Sequence, residues 1–146
     1  MKVITDAKTF EFKGDDRVFG IFYISHEGIA FPSTNWDDFV SPIALDWAAA
    51  VVPLAQGSHG TCSLHFMDGP YTIHLARQSL VCTATFEHRP KTRTAAVLVD
   101  LAQFLQTLSD TLATFSEWAC RREGLSETLQ RAQKFSKTLR NLALGD

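Results

Sequence analysis

Apolar and polar residues alternate through "TFEFK" (9 to 13), with Phe10 and Phe12 on one side, which predicts a half-buried strand followed by a turn at "GDD". "RVFGIFYIS" (17 to 25) is apolar at nearly every position, as expected of a central strand covered on both faces. "HEG" turns the chain into a short strand "IAF" (29 to 31), which Pro32 ends because it has no N–H to donate. The next apolar residues, Ile43, Trp47, Val51 and Leu54, recur at helical spacing. Ser41-Pro42 suits a cap and a first helical position, so a turn is expected over 35 to 40 and a helix from Pro42 to about Gln56, with Pro53 near its end and Gly57 beyond it.

Period-two alternation returns in "SLHFMDGPYTIHL" (63 to 75) on both sides of Asp68-Gly69, the pattern of a β-hairpin. Centring the loop on that pair sets Leu64 opposite Ile73 and Ser63 opposite His74. A second turn at Arg77-Gln78 would set Ile73 opposite Cys82 and Tyr71 opposite Ala84. One face then collects Cys62, Leu64, Phe66, Tyr71, Ile73, Leu75, Leu80, Cys82, Ala84 and Phe86 and reads as core. The opposite face, with Ser63, His65, Thr72, His74, Thr83, Thr85 and Glu87, is polar.

From about Thr94 to Glu123, Val97, Leu101, Phe104, Leu108, Phe115 and Trp118 follow a four-three spacing that predicts one long helix. Gly124 stops it, Ser126 is placed to cap a successor, and Leu125, Leu129, Ala132, Leu139 and Leu142 form that helix's apolar side. The order βββ-α-βββ-αα predicts one α+β domain over 1–146, a largely antiparallel sheet with helices packed on it, residues 93–146 forming a C-terminal helical hairpin.

Composition narrows the class without naming a function. The 146 residues are 45% hydrophobic and 21% charged, and no apolar run reaches the roughly 18 residues of a membrane span. The N-terminal stretch lacks the apolar core and cleavage site of a signal peptide, so a cytoplasmic location is expected. Cys62, Cys82 and Cys120 have no ligand spacing and read as reduced, core-lining thiols. Net charge is -2, but residues 1 to 87 carry five Lys/Arg against ten Asp/Glu, while residues 88 to 146 carry nine against six. Such a division can steer a charged partner, and a surface evenly mixed in three dimensions gives the same linear tally.

Candidate chemistry is sparse. His65 and His74 are diagonal neighbours on one hairpin face without a third ligand, so no metal and no cofactor is expected. The hairpin faces keep Cys62 and Cys82 from both histidines, and "GSHGTCS" (57 to 63) lacks a following helix to present amides. Asp15-Asp16 and Asp37-Asp38 read first as a turn and a helix start. Arg131, Lys134, Lys137 and Arg140 form a basic stripe with Arg121 and Arg122 close by, read as a solvated helix face; nucleic acid is not the expected partner.

"FPSTNWDDFVSPIALDW" followed by "LHFMDGPYTIHL" resembles the immunity components of bacterial polymorphic toxin systems: a Phe-Pro start, a Trp-Asp helix entry, a second Trp and a Phe-Met-Asp-Gly-Pro-Tyr hairpin. The likeness covers roughly residues 29 to 76 and leaves out the C-terminal helices. It implies a small non-enzymatic protein that binds and neutralises a cognate toxin. Joined to the acidic first part, it makes Asp15, Asp16, Trp36, Asp37, Asp38 and Asp46 the expected partner-binding residues. Two alternatives stand beside it. One is a small-molecule-binding or enzymatic domain with a pocket between sheet and helices that uses Trp36, His65 and His74. The other is a subunit that self-associates, as a homodimer for example, through its C-terminal helices.

Overall fold

A computed structural model describes residues 1–90 and 92–145. The architecture is α+β, with two antiparallel sheets and three helices. The first sheet contains β1 (Lys2–Thr5), β2 (Glu11–Phe12), β3 (Val18–His26), β4 (Ile29–Phe31) and β5 (Asp37–Phe39), followed by helix α1 (Val40–Gln56). The second contains β6 (His59–His65), β7 (Tyr71–Gln78), β8 (Val81–His88), β9 (Thr92–Arg93) and β10 (Val97–Leu98). Helices α2 (Leu101–Ala119) and α3 (Ser126–Ala143) complete the chain.

Strand β3 is central, as its apolar run predicts. Ile24 pairs with Val3 on one edge and Phe31 on the other, and Phe19 pairs with Glu11 and Phe39 in the same way. Coverage of both its faces is not observed. Val18, Phe22 and Ile24 are fully buried, whereas Phe19, Ile21 and Tyr23 are only half-buried, because the helices pack on one side alone. β1 contributes an edge strand that the sequence pattern did not reveal, Ala7–Thr9 form a single 3-10 turn, and the strand expected over 9 to 13 is confined to Glu11–Phe12.

The first hairpin of the second sheet has the expected register, with Leu64 opposite Ile73 and Ser63 opposite His74. The second is shifted by four residues. Its turn is Ser79-Leu80, so Ile73 faces Phe86 and Gln78 faces Val81. Leu80, expected in the core, is 95% exposed at the turn. The other nine residues of the apolar face are buried or half-buried, since an even shift preserves which side of the sheet each occupies.

Three expected element starts are corrected. β5 runs directly into α1, so Ser41 is not its cap: it lies inside the helix, its hydroxyl accepting from the Val18 amide at 3.0 Å and donating to the Asp16 carbonyl at 3.3 Å. The long helix begins only at Leu101, capped by Asp100, whose carboxylate accepts from the Gln103 amide at 3.1 Å. Residues 97 and 98 instead pair with Ala84 and Thr83 on the edge of β8. Ser126 opens α3, but buried Leu125 occupies the cap position.

One core runs through the fold. Trp47 of α1 stacks edge-on against Phe22 at 5.0 Å and Phe66 at 5.1 Å, joining the helix to both sheets, while its indole N–H donates to the His65 carbonyl at 2.9 Å. The paired helices α2 and α3 meet closely at Ser109 and Ser136, each hydroxyl donating to the other's backbone carbonyl, at 2.7 and 3.0 Å. No described helix is long and apolar enough to cross a membrane.

Candidate functional site

Alternation along β5 separates the adjacent carboxylates Asp37 and Asp38. Asp38 lies opposite Gly20 on the inner side and is completely buried. Its oxygens accept from the Trp36 indole N–H at 3.2 Å, the Phe39 amide at 2.7 Å, the Met67 amide at 3.2 Å and the Asp68 amide at 3.1 Å. Four N–H dipoles thus replace water around this charge. They also tie the loop of the β6–β7 hairpin to the first sheet. Asp38 is therefore a structural clamp and presents nothing to a partner, which removes it from the expected contact set.

The same clamp explains the loop chemistry. Gly69 has φ +100°, and a Cβ there would stand 2.9 Å from the Tyr71 ring. Tyr71 packs edge-on against Trp36 at 5.1 Å and flat against His88 at 4.5 Å. Trp36 is half-buried, with its N–H committed to Asp38.

The other expected contact residues are exposed, though not all in one place. Asp15 and Asp16 occupy a loop with φ of 50° and 60°, held to the start of α1 through the Ser41 hydroxyl bond. Asp15 lies 3.6 Å from the Arg17 guanidinium, which in turn sits 5.3 Å above the Phe39 ring. Asp37 points outward opposite Ile21, two residues before Phe39 on the same face. Asp46 is exposed further along α1 and has no described hydrogen bond or ion pair to this group.

What links Asp15 and Asp37 is the outer face of the first sheet, which Asp15 reaches through Arg17 above Phe39; Asp16 is located only by its carbonyl on the Ser41 hydroxyl. Phe19 and Phe39 stack edge-on at 5.2 Å, Ile21 and Tyr23 continue the row along β3, and Ile4 lies across from Tyr23. All five are half-buried without a helix over them. Glu11, paired with Lys13 at 3.2 Å, closes another edge. The result is an aromatic strip bordered by exposed carboxylates, two of them, Glu11 and Asp15, paired with Lys13 and Arg17. Its signal in the sequence is the odd-numbered apolar set of 17 to 25, which the continuous apolar run by itself predicts to be covered.

A second polar arrangement crosses the outer side of the second sheet. His74 Nδ1 lies 3.0 Å from the Ser63 hydroxyl and its Nε2 3.0 Å from Glu87 Oε2, which also accepts from Arg89 Nε at 3.2 Å. The His74 hydrogen bond, aided by Arg89, holds the Glu87 carboxyl below its ordinary range against some desolvation. The order serine-histidine-carboxylate is one that nucleophilic catalysis uses. Here the strand amides beside Ser63 are engaged in the ladder with β7, and among the described residues no helix start aims N–H groups at an oxyanion beside it. It reads as a cross-strand polar ladder, continued by His65 and Thr72 at 3.1 Å. The shifted hairpin register hid the Glu87 partner from sequence reasoning.

Trp36, His65 and His74 therefore engage three different neighbours and do not line a common pocket. Among the described residues no three His, Cys, Asp or Glu side chains converge on a metal-sized space. Cys62 and Cys82 line the sheet interior, where burial pushes the Cys62 thiol up to about 11 and also raises Cys82. Cys120, expected in the core, is exposed because it follows the last residue of α2. The basic residues Arg131, Lys134, Lys137 and Arg140 are exposed along α3. The chain matches no protein-family model, no curated protein and no solved structure.

Proposed function

We propose that this is a non-enzymatic protein-binding module, an immunity-type protein that binds and neutralises a cognate bacterial toxin through the outer face of its first sheet. One observation carries the reading: the half-exposed row of Phe19, Ile21, Tyr23 and Phe39 is bordered by Glu11, Asp15 and Asp37, of which Asp37 is exposed without a described ion pair while Lys13 and Arg17 pair with the other two. Aromatic side chains supply anchoring area at low entropic cost, and a carboxylate rim steers a basic partner and excludes acidic ones. The partner surface is accordingly a basic patch around an apolar centre. Asp38 supports this surface from behind by fixing β5, and Asp46 lies outside it.

Co-expression with a toxin domain encoded beside its gene tests the reading. Growth should be restored, and the two chains should elute as one complex whose affinity falls with added salt. Asp37→Asn and Phe39→Ala should each weaken the complex while Asp46→Asn leaves it unchanged. Failure to restore growth, or equal binding by all three variants, would refute the assignment.

A further inference from the structure

Among the described residues β6 is the only edge strand longer than four residues. It has β7 on one side and no strand on the other, whereas the edge strands β1, β2, β4, β5, β9 and β10 run two to four residues. The Phe66 N–H donates to the Tyr71 carbonyl at 3.1 Å and the Ser79 N–H to the Ser58 carbonyl at 2.6 Å, so the even-numbered residues of β6 exchange hydrogen bonds with β7. The N–H and C=O groups of His59, Thr61, Ser63 and His65 therefore point away from β7. All four residues are exposed, and only the His65 carbonyl has a described partner, the Trp47 indole N–H at 2.9 Å. Natural edges are blunted by proline, lysine, a bulge or a covering element. β6 pairs through all seven residues without a bulge and carries no proline, Asp, Glu, Lys or Arg. None of those four charged types occurs anywhere from 47 to 67. Helix α1, which runs antiparallel beside the strand with Leu54 near Gly60 and Trp47 near His65, therefore adds no charge past Asp46; its exposed positions there are Ala49, Pro53 and Gln56.

We propose that β6 pairs antiparallel with β6 of a second copy of this chain, joining two sheets across a two-fold axis. Full overlap puts the strand's midpoint, Cys62, on the axis, with Thr61 opposite Ser63 of the second copy, Gly60 opposite its Leu64 and His59 opposite its His65. Odd residues then meet odd residues, so the outward N–H and C=O groups of Thr61 and Ser63 satisfy one another. The faces match as well. Thr61 and Ser63 fall on the polar outer side, while Gly60, Cys62 and Leu64 fall on the inner side, where half-buried Cys62 gains cover. A second copy fits this edge because the surface is uncharged: no like charges oppose self-pairing, and a charged partner gains nothing from it. The pairing is also closed, since it uses each β6 once and leaves only short edges. β6 belongs to the second sheet, so the interface is independent of the toxin-binding face.

Sedimentation of the full chain across roughly 1 µM to 1 mM should show a reversible monomer–dimer equilibrium. Toward the dimer, hydrogen exchange at the Thr61 and Ser63 amides should slow at least about tenfold, while the Leu64 amide, bonded within the sheet, stays protected throughout. Thr61→Pro removes an outward N–H without touching the ladder with β7, and Thr61→Lys sets like charges on either side of the axis. Each should weaken the dimer at least about tenfold with circular dichroism unchanged. A monomer at every concentration would overturn the proposal. So would a dimer that the folded variants retain undiminished, or one whose Thr61 and Ser63 amides exchange as in the monomer, either of which would move the contact to another surface such as the C-terminal helices. If Thr61→Pro does not fold, Thr61→Lys decides; if neither folds, the amide exchange of the unaltered chain decides. Protection of those amides only in a toxin complex of an otherwise monomeric chain would assign the edge to the toxin and overturn the self-pairing.

Discussion

Both carboxylate oxygens of Asp38 lie 3.1 Å from the backbone nitrogen of Asp68, thirty residues away in the chain. A single buried charge thereby sets the position of a hairpin loop that belongs to the other sheet. Removing it leaves several part-buried N–H groups without their acceptor. Asp38→Ala should cost about 3 kcal/mol, since each unmet buried donor costs about 1–3 kcal/mol and the loop relaxes in part. For a chain of this size each kcal/mol is worth about 2–4 °C, so thermal melting should fall by roughly 10 °C. Asp37→Asn, one residue earlier but exposed, should leave melting within about 1 °C. Equal losses for the two variants would contradict the clamp.

Gly69 offers a second check on the same loop. Gly69→Ala places a methyl group 2.9 Å from the Tyr71 ring at a φ of +100° and should destabilise by about 2 kcal/mol. Gly28, at φ +79° with open space around it, carries only the backbone cost. Gly28→Ala should therefore lose about 1 kcal/mol, and denaturant titration of both variants measures the difference.

Glu87 should titrate below the ordinary glutamate value of 4.5, because the hydrogen bond from His74 and then Arg89 favour its ionised form. A depressed folded-state pKa means that the stability it contributes is present above 4.5 and is lost as pH falls through the folded value. Carboxyl-resonance titration should show the Glu87 midpoint rising in His74→Ala. An unchanged midpoint would show that the ladder does not govern this group.

The three thiols should separate by reactivity. Cys120 is exposed, whereas the Cys62 thiol, pushed up to about 11, and the buried Cys82 remain protonated and shielded at neutral pH. A thiol reagent should label one cysteine rapidly in the native protein and all three after denaturation. Cys120→Ser should abolish the rapid phase.

Ser109 and Ser136 form a closed pair between α2 and α3, with their hydroxyl oxygens 3.1 Å apart. Changing either one alone to alanine should cost about 1–2 kcal/mol. Changing both removes the remaining hydroxyl as well, so the double variant should lose less than the sum of the single losses. A double-mutant cycle measures this coupling, and strict additivity would exclude it.

Strand alternation alone determined which side of the second sheet each residue occupies, because successive side chains point in opposite directions and one slip would exchange core for solvent. It could not choose between registers four residues apart, which leave every side chain on its own face. That choice was tertiary: the Arg77 guanidinium, expected in the turn, reaches the Leu54 and Ala55 carbonyls at the end of α1 at 3.1 and 2.6 Å. Arg77 and Gln78 thus stay in β7 and the turn moves to Ser79-Leu80. Val97 and Leu98 fitted a helical stripe equally well, until the open edge of β8 took them as a strand. The three helical regions were legible from their apolar spacing, since each buries one continuous stripe. The candidate site was legible only in part. Asp37 and Asp38 are chemically identical neighbours, and the pleat of β5 sent one to the rim and the other into the interior, where the amides of a distant loop receive it. Local pattern specifies faces; only the packing of elements remote in sequence specifies which face is covered.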